Sequence, residues 1–461
     1  MLGKKFSRRN FLRMAAVTAA SASMAACAPA ATPAAAPAAT ATNAPAAAQP
    51  VAPTDTVAPA QTGKKQVRYL TLDWTTDGFK QQFEADNPGY ELVLEKLPFN
   101  DLFSQIQIRM GAKSDSFDVF SVDVPVTYGY GARNWLVPLD DVFTSEEKAD
   151  WVESSLNAGT YKGKLISAPV STSTQLLFYN KNLLKAAGID FPKTDDRLTY
   201  EQVVEMAKKT VKDENGDGTP EIYGFTWEQT VRIYQLGQLP ASLGGKMIGD
   251  DGFTVDGVIN SPEWIKAFTF YQQTFTDNLG PKGDVVPASD LFKAGKMGFI
   301  VAGPWNIPGL ANGNPPFEWG VSRTPYFQDG KPATPTGSWH LGVNPNSKNQ
   351  DAAKFFVHYN STGKGAEAWW RKGSGDFPAE KSVLKLFATD PQFDKEPLSF
   401  MRTAANEATI NPVPRALTPG YLEYEQILQT TFQDIRTGTD VKTALDAAVA
   451  RINTEMAKYQ R

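Results

Sequence analysis

The sequence contains very little cysteine and histidine. Among its 461 residues there is one cysteine, Cys27, and there are two histidines, His340 and His358. A disulfide needs two cysteines, and a zinc site built from cysteine and histidine needs several of them close together, so counting excludes both. The region after residue 30 also lacks an apolar run of the roughly 18 to 20 residues that a membrane helix requires. We therefore predict no membrane-spanning helix in that region.

Acidic residues are absent from the first 27 positions, which carry five basic residues. Because the whole chain has a formal net charge of −4, the remainder carries nine more acidic than basic side chains. An acidic surface repels phosphate backbones, and the sequence has no basic cluster with interleaved aromatic residues that would overcome this repulsion. We therefore predict that the protein binds no nucleic acid.

The motifs of several enzyme classes are also missing. No Gly-Lys pair has the context of a phosphate-binding loop, the nucleophile elbow of hydrolases is absent, and Gly129-Tyr130-Gly131 lacks the third glycine of a dinucleotide-binding loop. The catalytic arrangement that remains is a pair of carboxylates, as in glycoside hydrolysis, which sequence spacing cannot reveal. A glycan-cleaving hydrolase therefore stays open as an alternative function, and turnover of a bound sugar would identify it.

The first 63 residues have the features of an export signal and a spacer. Ser7-Arg8-Arg9-Asn10-Phe11-Leu12-Arg13 precedes a short Ala-rich apolar stretch, as in twin-arginine signals. Met24-Ala25-Ala26-Cys27 resembles a lipobox, in which the cysteine is acylated and becomes the new N-terminus; a signal peptide cleaved elsewhere is the alternative. Several acyl chains, at about 0.8 kcal/mol per buried methylene, would anchor the protein durably. We predict a lipoprotein signal peptide at residues 1–27, lipidation of Cys27 and a disordered linker rich in Ala, Pro and Thr at residues 28–63.

Strand and helix patterns alternate from residue 64 onward. Apolar residues at helical spacing predict a helix at 198–211, a helix that begins at Pro262 after Ser261, and a C-terminal helix from Val441 to Met456. Such alternation predicts an α/β fold with mostly parallel sheets, and about 400 residues are too many for one continuous sheet. No repeat of about 20 to 50 residues is present, so two α/β lobes are expected. Short runs rich in β-branched and aromatic residues predict strands at 67–72, 117–122, 165–170, 176–179 and 297–301.

The segment from Asp213 to Glu221 has the pattern of a cation-binding loop. Asp213, Asn215, Asp217 and Glu221 occupy positions 1, 3, 5 and 9, and position 6 is a glycine, which suits calcium. An EF-hand has a bidentate Glu at position 12, where this sequence has Gly224, so a polar turn that closes the preceding helix is the alternative. The loop is a candidate for a structural calcium site, and no other cofactor is predicted.

Four aromatic residues stand in or beside predicted turns at the ends of strands: Trp74, Tyr179, Trp305 and Trp339. Open α/β sheets bind ligands at the carboxyl ends of their strands, so these positions suit ligand contacts. Flat rings stack on the C–H faces of pyranose sugars, while nearby acids and amides bind the hydroxyl groups. The alternative for each residue is an ordinary, partly buried aromatic side chain.

A series of motifs follows a fixed order through residues 64–461. The weaker ones are Phe79-Lys80-Gln81-Gln82-Phe83-Glu84 before Asn87-Pro88, then Phe117-Asp118-Val119-Phe120, and Leu136-Val137-Pro138-Leu139-Asp140-Asp141. The more specific ones are Leu177-Phe178-Tyr179-Asn180-Lys181-Asn182-Leu183-Leu184, the run Phe292-Lys293-Ala294-Gly295-Lys296-Met297 that leads to Gly303-Pro304-Trp305, and Phe377-Pro378-Ala379-Glu380-Lys381-Ser382. Together they resemble the extracellular solute-binding proteins of family 1, the sugar-binding, maltose-binding-protein-like group that serves bacterial ABC transporters.

This resemblance implies a type II periplasmic-binding-protein fold, in which two α/β lobes are joined by a hinge and the ligand cleft lies at the carboxyl ends of strands. It implies chain crossings near residues 171, 334 and 389. The N-terminal lobe would comprise residues 64–171 and 334–388, and the C-terminal lobe residues 172–333 and 389–461.

The resemblance also implies a set of ligand contacts. Asp123 follows a predicted strand, where a carboxylate can accept two sugar hydroxyls; a cap or turn is its alternative role. Arg415, which follows Pro414, either reaches the cleft or pairs on the surface. Tyr179 and Trp305 are the ligand contacts best supported by their position in the matching motifs, followed by Trp74, Asp123 and Trp339. Looser local matches suggest three more contacts, namely Trp227, Arg415 and Tyr421.

The function implied is that of a membrane-tethered substrate-binding lipoprotein of an ABC importer. It would bind a mono- or oligosaccharide by lobe closure, without catalysis, and deliver it to the permease transmembrane subunits with their ATPase. The protein is expected to be an exported monomer that faces the periplasm or the cell exterior, anchored to the membrane by its N-terminal lipid. A glycan-acting hydrolase, and a surface adhesin or sensor that binds glycan without closure, are the alternatives.

Overall fold

The structure is a computed structural model that describes residues 63–283, 287–373 and 376–460. The predicted signal peptide, the lipidation of Cys27 and all but the last residue of the predicted linker therefore lie outside the described residues. In the described ranges, no helix is long and apolar enough to cross a membrane.

Strands of the described ranges are numbered here in chain order. They are β1 (Lys65–Leu72), β2 (Tyr90–Leu97), β3 (Val119–Asp123), β4 (Thr160–Tyr161), β5 (Lys164–Leu165), β6 (Ala168–Pro169), β7 (Ser171–Thr172), β8 (Leu176–Asn180), β9 (Tyr223–Trp227), β10 (Met297–Ala302), β11 (Trp319–Arg323), β12 (Thr334–Pro335), β13 (Trp339–Val343), β14 (Phe377–Pro378) and β15 (Pro412–Val413).

Helices occupy most of the chain between these strands, and the three helices predicted from the sequence are among them. The α-helices are Asp77–Asp86, Phe99–Gly111, Thr127–Ala132, Ser145–Asp150, Glu153–Gly159, Lys181–Ala186, Tyr200–Lys208, Ile233–Leu236, Gln238–Ser242, Pro262–Thr276, Ala288–Lys293, Asn306–Gly313, Gln350–Ser361, Gly363–Lys372, Lys381–Leu384, Leu386–Thr389, Phe400–Glu407, Tyr421–Arg436 and Val441–Met456. Short 3-10 helices occupy Val124–Val126 and Pro391–Phe393.

The first sheet has the strand order β2-β1-β3-β13-β6. β1 is parallel to β2 and β3, whereas β13 is antiparallel to β3 and β6. Asp123, the last residue of β3, is opposite Trp339, the first residue of β13. Both residues therefore lie at the same edge of the first sheet.

The second sheet has the strand order β11-β8-β10-β9. β9 is parallel to β10, whereas β8 is antiparallel to β10 and β11. The prediction that the sheets are mostly parallel is therefore only partly right. The reason is connectivity: β8 and β13 begin beside the carboxyl ends of β10 and β3, so they run away from the edge at which those strands end.

Apolar cores cover both sheets. Phe79, Phe356 and Trp369 belong to a buried cluster with strands of the first sheet, whereas Trp370 and Phe387 belong to a cluster with strands of the second. The adjacent tryptophans of the helix Gly363–Lys372 thus enter different cores. Both tryptophans are buried.

Short strand pairs and hydroxyl contacts connect the segments that run between the two sheets. β7 pairs with β14, and β12 pairs with β15. The hydroxyls of Ser171 and Ser338 are 2.9 Å apart, and those of Thr172 and Thr336 are 3.3 Å apart. These contacts lie beside the predicted crossings near residues 171 and 334, while the predicted limits of the lobes stay a prediction.

Candidate functional site

A cavity of about 520 Å³ lies at the edges where β3 and β10 end. Aromatic and charged side chains from both sheets meet in its wall. The lining residues are Trp74, Phe99, Asp123, Ser173, Gln229, Arg232, Tyr234, Trp305, Ser338, Trp339, Asp376 and Arg415.

One wall of the cavity is built by aromatic residues of the first sheet. Trp74 follows β1, and its ring stacks against Phe99 at 6.2 Å between centroids. Trp339 meets the edges of both rings, at 6.2 and 6.0 Å. Trp74 is 42% exposed although its ring is large and apolar, so this wall offers aromatic surface to a ligand.

A second wall is built by Trp305, which follows β10 of the second sheet, and by Tyr234 of the helix Ile233–Leu236. Trp305 follows β10 and is 38% exposed, and its ring stacks on Tyr234 at 6.3 Å. The hydroxyls of Tyr234 and Ser173 are 2.7 Å apart. Burial raises the pKa of Tyr234 to about 12, so its hydroxyl stays protonated at neutral pH.

The carboxylate of Glu228 fixes the position of Trp305. It accepts hydrogen bonds from Trp305 Nε1 at 3.1 Å, Asn306 Nδ2 at 2.9 Å, the backbone N–H of Gly303 at 3.2 Å and Gln235 Nε2 at 3.2 Å. The indole ring lies directly against Gly303, in the space that a Cβ atom there would need. A glycine two residues before the tryptophan is therefore required for this ring position.

A buried ion pair forms part of the cavity wall. Arg415 donates from Nη1 to Asp123 Oδ2 at 3.0 Å and from Nη2 to Asp123 Oδ1, and the two side chains are only 6% and 7% exposed. Burial alone would lower the pKa of Arg415, but the Asp123 carboxylate beside it raises that pKa above its ordinary value. The guanidinium group of Arg415 is therefore charged at neutral pH.

The second arginine of the wall, Arg232, is also paired. Its Nε and Nη2 donate to Glu425 Oε1 at 3.2 and 2.9 Å. Its guanidinium carbon lies 5.1 Å from the centre of the Phe99 ring, which is a cation–π contact between two residues that line the cavity.

Five of the residues predicted as ligand contacts are brought together by the structure, and three are not. Tyr179, Trp227 and Tyr421 are buried and do not line the cavity. The five that line it are Trp74, Asp123, Trp305, Trp339 and Arg415.

Tyr179 lies away from the cavity because β8 runs antiparallel to β10. Leu176 is the residue of β8 that is opposite Ala302, the end of β10, so Tyr179 lies toward the other edge of the sheet. Its hydroxyl donates to the backbone oxygen of Pro192 at 2.6 Å.

Trp227 ends β9 on the correct edge of the sheet, but its ring packs into the core against Phe225 and Tyr271, at 4.8 and 5.7 Å. Tyr421 begins the helix Tyr421–Arg436 and packs beneath the cavity wall, with its ring centre 5.9 Å from the guanidinium carbon of Arg415.

Residues that the sequence interpretation missed include Glu228, Arg232, Tyr234 and Phe99. Glu228 immediately follows β9, and Phe99 is two positions after the end of β2, so the rule of strand ends would have found both. Arg232 and Tyr234 lie in a loop and a four-residue helix, and no sequence signal marks them.

The candidate calcium loop is exposed and closed by its own hydrogen bonds. Asp213 accepts from the backbone N–H groups of Gly216 and Gly218, both at 2.8 Å, and Asn215 and Asp217 accept from N–H groups two residues further on. Among the described residues, no group of three or more His, Cys, Asp or Glu side chains is placed to hold a metal ion. The calcium site stays a prediction.

A wider groove of about 880 Å³ also has Arg415 in its wall. It is lined largely by loop residues 245–253 and by residues 413–417, among them the exposed Asp250 and Asp251. Aromatic rings of both sheets converge on the smaller cavity instead, so we take that cavity as the functional site.

The cavity can bind a ligand that has both apolar faces and hydroxyl groups. Rings on both walls offer surfaces for stacking. Gln229 Oε1 is buried at the wall and has no hydrogen-bond partner among the described residues, so it can accept from a ligand hydroxyl.

The chain is similar in sequence to proteins of known name. Over 324 residues the chain is 24% identical to a maltotriose-binding protein of Pyrococcus abyssi. The aligned region covers 69% of this chain and 66% of that protein. Over 415 residues it is 23% identical to an sn-glycerol-3-phosphate-binding periplasmic protein of Escherichia coli, which covers 84% and 90% of the two chains.

The fold is that of the two-domain, maltose-binding-like periplasmic binding proteins. A solved ABC substrate-binding protein of Listeria monocytogenes in complex with cycloalternan superposes with a TM-score of 0.74 at 22% identity, over 86% of this chain and 99% of that one. This likeness confirms the predicted two-lobed α/β fold. Residues 70–364 match the family described as bacterial extracellular solute-binding protein. Because this match covers more than half of the sequence, the chain belongs to the bacterial extracellular solute-binding proteins.

Proposed function

We propose that this solute-binding protein binds a carbohydrate in the cavity between its two sheets and serves an ABC importer. The observation that carries the proposal is the pair of aromatic walls, Trp74 and Trp339 on one side and Trp305 and Tyr234 on the other. Sugars present C–H faces to such rings and hydroxyls to the polar groups between them.

The names of relatives support the same ligand class. One relative is named for maltotriose, and the solved structure of similar fold holds cycloalternan, which is an oligosaccharide. A cavity of about 520 Å³ suits a short segment of such a chain.

Lobe closure is the proposed mechanism. The two aromatic walls belong to different sheets, so a ligand that touches both stabilises the arrangement in which the sheets are close. A ligand shifts this equilibrium only by as much as it prefers the closed state. The closed form would then be the one that the permease and its ATPase subunits recognise.

Anchoring by a lipid on Cys27 is the proposed way in which the protein stays at the membrane. Mass spectrometry of the protein from cell membranes should find an acylated Cys27 at the N-terminus. Cys27→Ala should release the protein from the membrane, and membrane retention of that variant would contradict the tether.

A thermal-shift screen of the purified protein tests the ligand class. Mono- and oligosaccharides are the probes, and polyols, amino acids, polyamines and glycerophosphodiesters are the controls. A bound ligand at a hundredfold excess over its dissociation constant stabilises the folded state by about 2.7 kcal/mol. A sugar that raises the melting temperature without being cleaved supports the proposal. Cleavage would identify a hydrolase, and a shift with a non-sugar control alone would overturn the ligand class.

A further inference from the structure

The charged groups in the cavity wall balance one another. Asp123 and Asp376 contribute two negative charges, and Arg232 and Arg415 contribute two positive charges. Relatives of this chain are named for a neutral sugar and for a phosphate ester, so the charge of the ligand is an open property of this site.

The charge of Arg415 is compensated by Asp123, while its buried Nε–H has no hydrogen-bond partner among the described residues. Its two terminal nitrogens donate to the two oxygens of Asp123, and its guanidinium carbon lies 5.0 Å from the ring centre of Tyr234. A Cβ atom at Gly337 would lie 2.8 Å from Arg415 Nη2, so the absence of a side chain at residue 337 leaves room for the guanidinium group in its observed position. If Arg415 turned toward a ligand, the buried carboxylate of Asp123 would lose the positive charge that compensates it.

The second arginine is committed in a similar way. Nε and Nη2 of Arg232 both donate to Glu425, and the other face of the guanidinium group lies over the Phe99 ring. The side chains of Arg232 and Glu425 are largely buried, so this ion pair is poorly screened by solvent.

The groups behind the wall add negative charge. Glu228 holds Trp305 in place on one side, and Glu425 holds Arg232 on another. When these two residues are counted with the wall, four carboxylates stand against two guanidinium groups.

We infer that Asp123 and Glu425 are specificity-determining residues that keep both arginines of the cavity in ion pairs and thereby exclude anionic ligands. The ligand is therefore uncharged, and phosphorylated or carboxylated sugars are rejected. An entering phosphate would meet an excess of carboxylates, and it would have to compete with Asp123 and Glu425 for the charge of the two arginines. This inference rests on the proposed function in one respect, because it takes this cavity as the ligand site.

Three proteins test the inference by calorimetric titration at constant ionic strength: the wild type, Asp123→Asn, and Asp123→Asn with Arg415→Gln. The probes are inorganic phosphate and sn-glycerol 3-phosphate. Asn has the shape of Asp but no charge, so Arg415 gains an unpaired charge at the cavity wall. We expect no saturable binding by the wild type at the highest probe concentration used, and saturable binding by Asp123→Asn with an affinity at least about tenfold above that detection limit. The double variant, which lacks both charges, should show no gain.

Saturable phosphate binding by the wild type would overturn the inference, as would an equal response of the single and double variants. Asp123→Asn leaves a buried charge unpaired, which destabilises the fold. If this variant does not fold, Glu425→Gln is the second variant, because it frees the more exposed Arg232. A gain of phosphate binding in Glu425→Gln supports the inference, and no gain overturns it.

The outcome can be separated from a failure of the proposed function. Phosphate binding by the variants is read without any sugar, so it can appear even if no sugar binds to the wild type. Conversely, a wild type that binds both a sugar and its phosphate ester would keep the proposed function and overturn the charge exclusion.

Discussion

Trp305 owes its place in the cavity to its immediate neighbours. Gly303 leaves room for the indole ring, and Glu228 accepts the hydrogen bond of its Nε1. A tryptophan at a strand end is only a candidate for a ligand contact, but one that is oriented by hydrogen bonding and 38% exposed is prepared to bind. The same distinction separates Trp305 from the fully buried Trp227.

Trp305→Ala should weaken sugar binding by about 2 kcal/mol or more, roughly 30-fold, because a large aromatic contact is lost. The free energy of unfolding should change much less, since the ring is partly exposed. Titration calorimetry and a thermal melt measure the two quantities. Phe191→Ala is the matched control, because Phe191 is exposed to a similar degree but does not line the cavity. Normal affinity in Trp305→Ala would show that the cavity is not the ligand site.

Glu380 gives the protein a pH-dependent stability. Burial and the nearby carboxylates of Asp150 and Glu147 raise the pKa of Glu380 from 4.5 to about 7. A hydrogen bond from the backbone N–H of Gly363 opposes this shift without cancelling it. The folded state therefore holds a proton between pH 4.5 and about 7 that the unfolded state releases. It follows that the contribution of Glu380 to stability is present below this window and is lost as the pH rises through it.

Glu380→Gln should remove this contribution to the pH dependence, because the glutamine is neutral throughout and its Oε1 can still accept from Gly363. The measurement is the difference in melting temperature between variant and wild type on either side of the window. We expect the difference to move in favour of the variant as the pH rises. Parallel pH profiles of the two proteins would contradict the assignment.

At the scale of elements, the direction of each strand decides which predicted contacts reach the cavity. The pattern of residues 176–179 correctly predicts β8, but hydrophobicity does not reveal whether a strand approaches the cleft or leaves it. Because β8 leaves it, Tyr179 was predicted at the wrong edge of the sheet. Trp74, Trp305 and Trp339 were predicted from the same rule and line the cavity.

Side-chain alternation explains a second difference. Successive residues of a strand point to opposite faces, so Trp227 enters the core while Glu228, the next residue, reaches Trp305. The sequence predicts where β9 ends but not which of two neighbouring side chains faces the ligand. Long-range pairs are also invisible to local patterns: Asp123 and Arg415 are 292 positions apart.

The loop from Asp213 to Glu221 carries a prediction of its own. Calcium should raise the melting temperature at concentrations up to about 1 mM, the range of extracellular calcium modules. Asp217→Ala should abolish the shift, and Asp250→Ala, an acidic surface residue outside the loop, is the control. A melting temperature that does not respond to calcium would show that the loop is a polar turn closed by its own hydrogen bonds.

At the scale of the whole molecule, the alternation of strands and helices was sufficient to predict two α/β lobes, because each sheet needs helices to cover it. It was not sufficient to predict the mixed sheets, since the antiparallel strands β8 and β13 follow the points at which the chain passes from one sheet to the other. The same crossings bring rings of both sheets to one cavity. The proposed mechanism depends on this geometry, because a ligand held by both walls links the lobes.

Small-angle X-ray scattering of the protein with and without a saturating sugar tests this central claim most directly. If the sugar binds between the lobes and favours their closure, the radius of gyration should fall on binding while the molecular mass stays that of a monomer. Trp305→Ala at the same sugar concentration should remain closer to the unliganded curve. Unchanged scattering of the wild type at proven saturation would contradict binding by lobe closure and favour a surface glycan receptor.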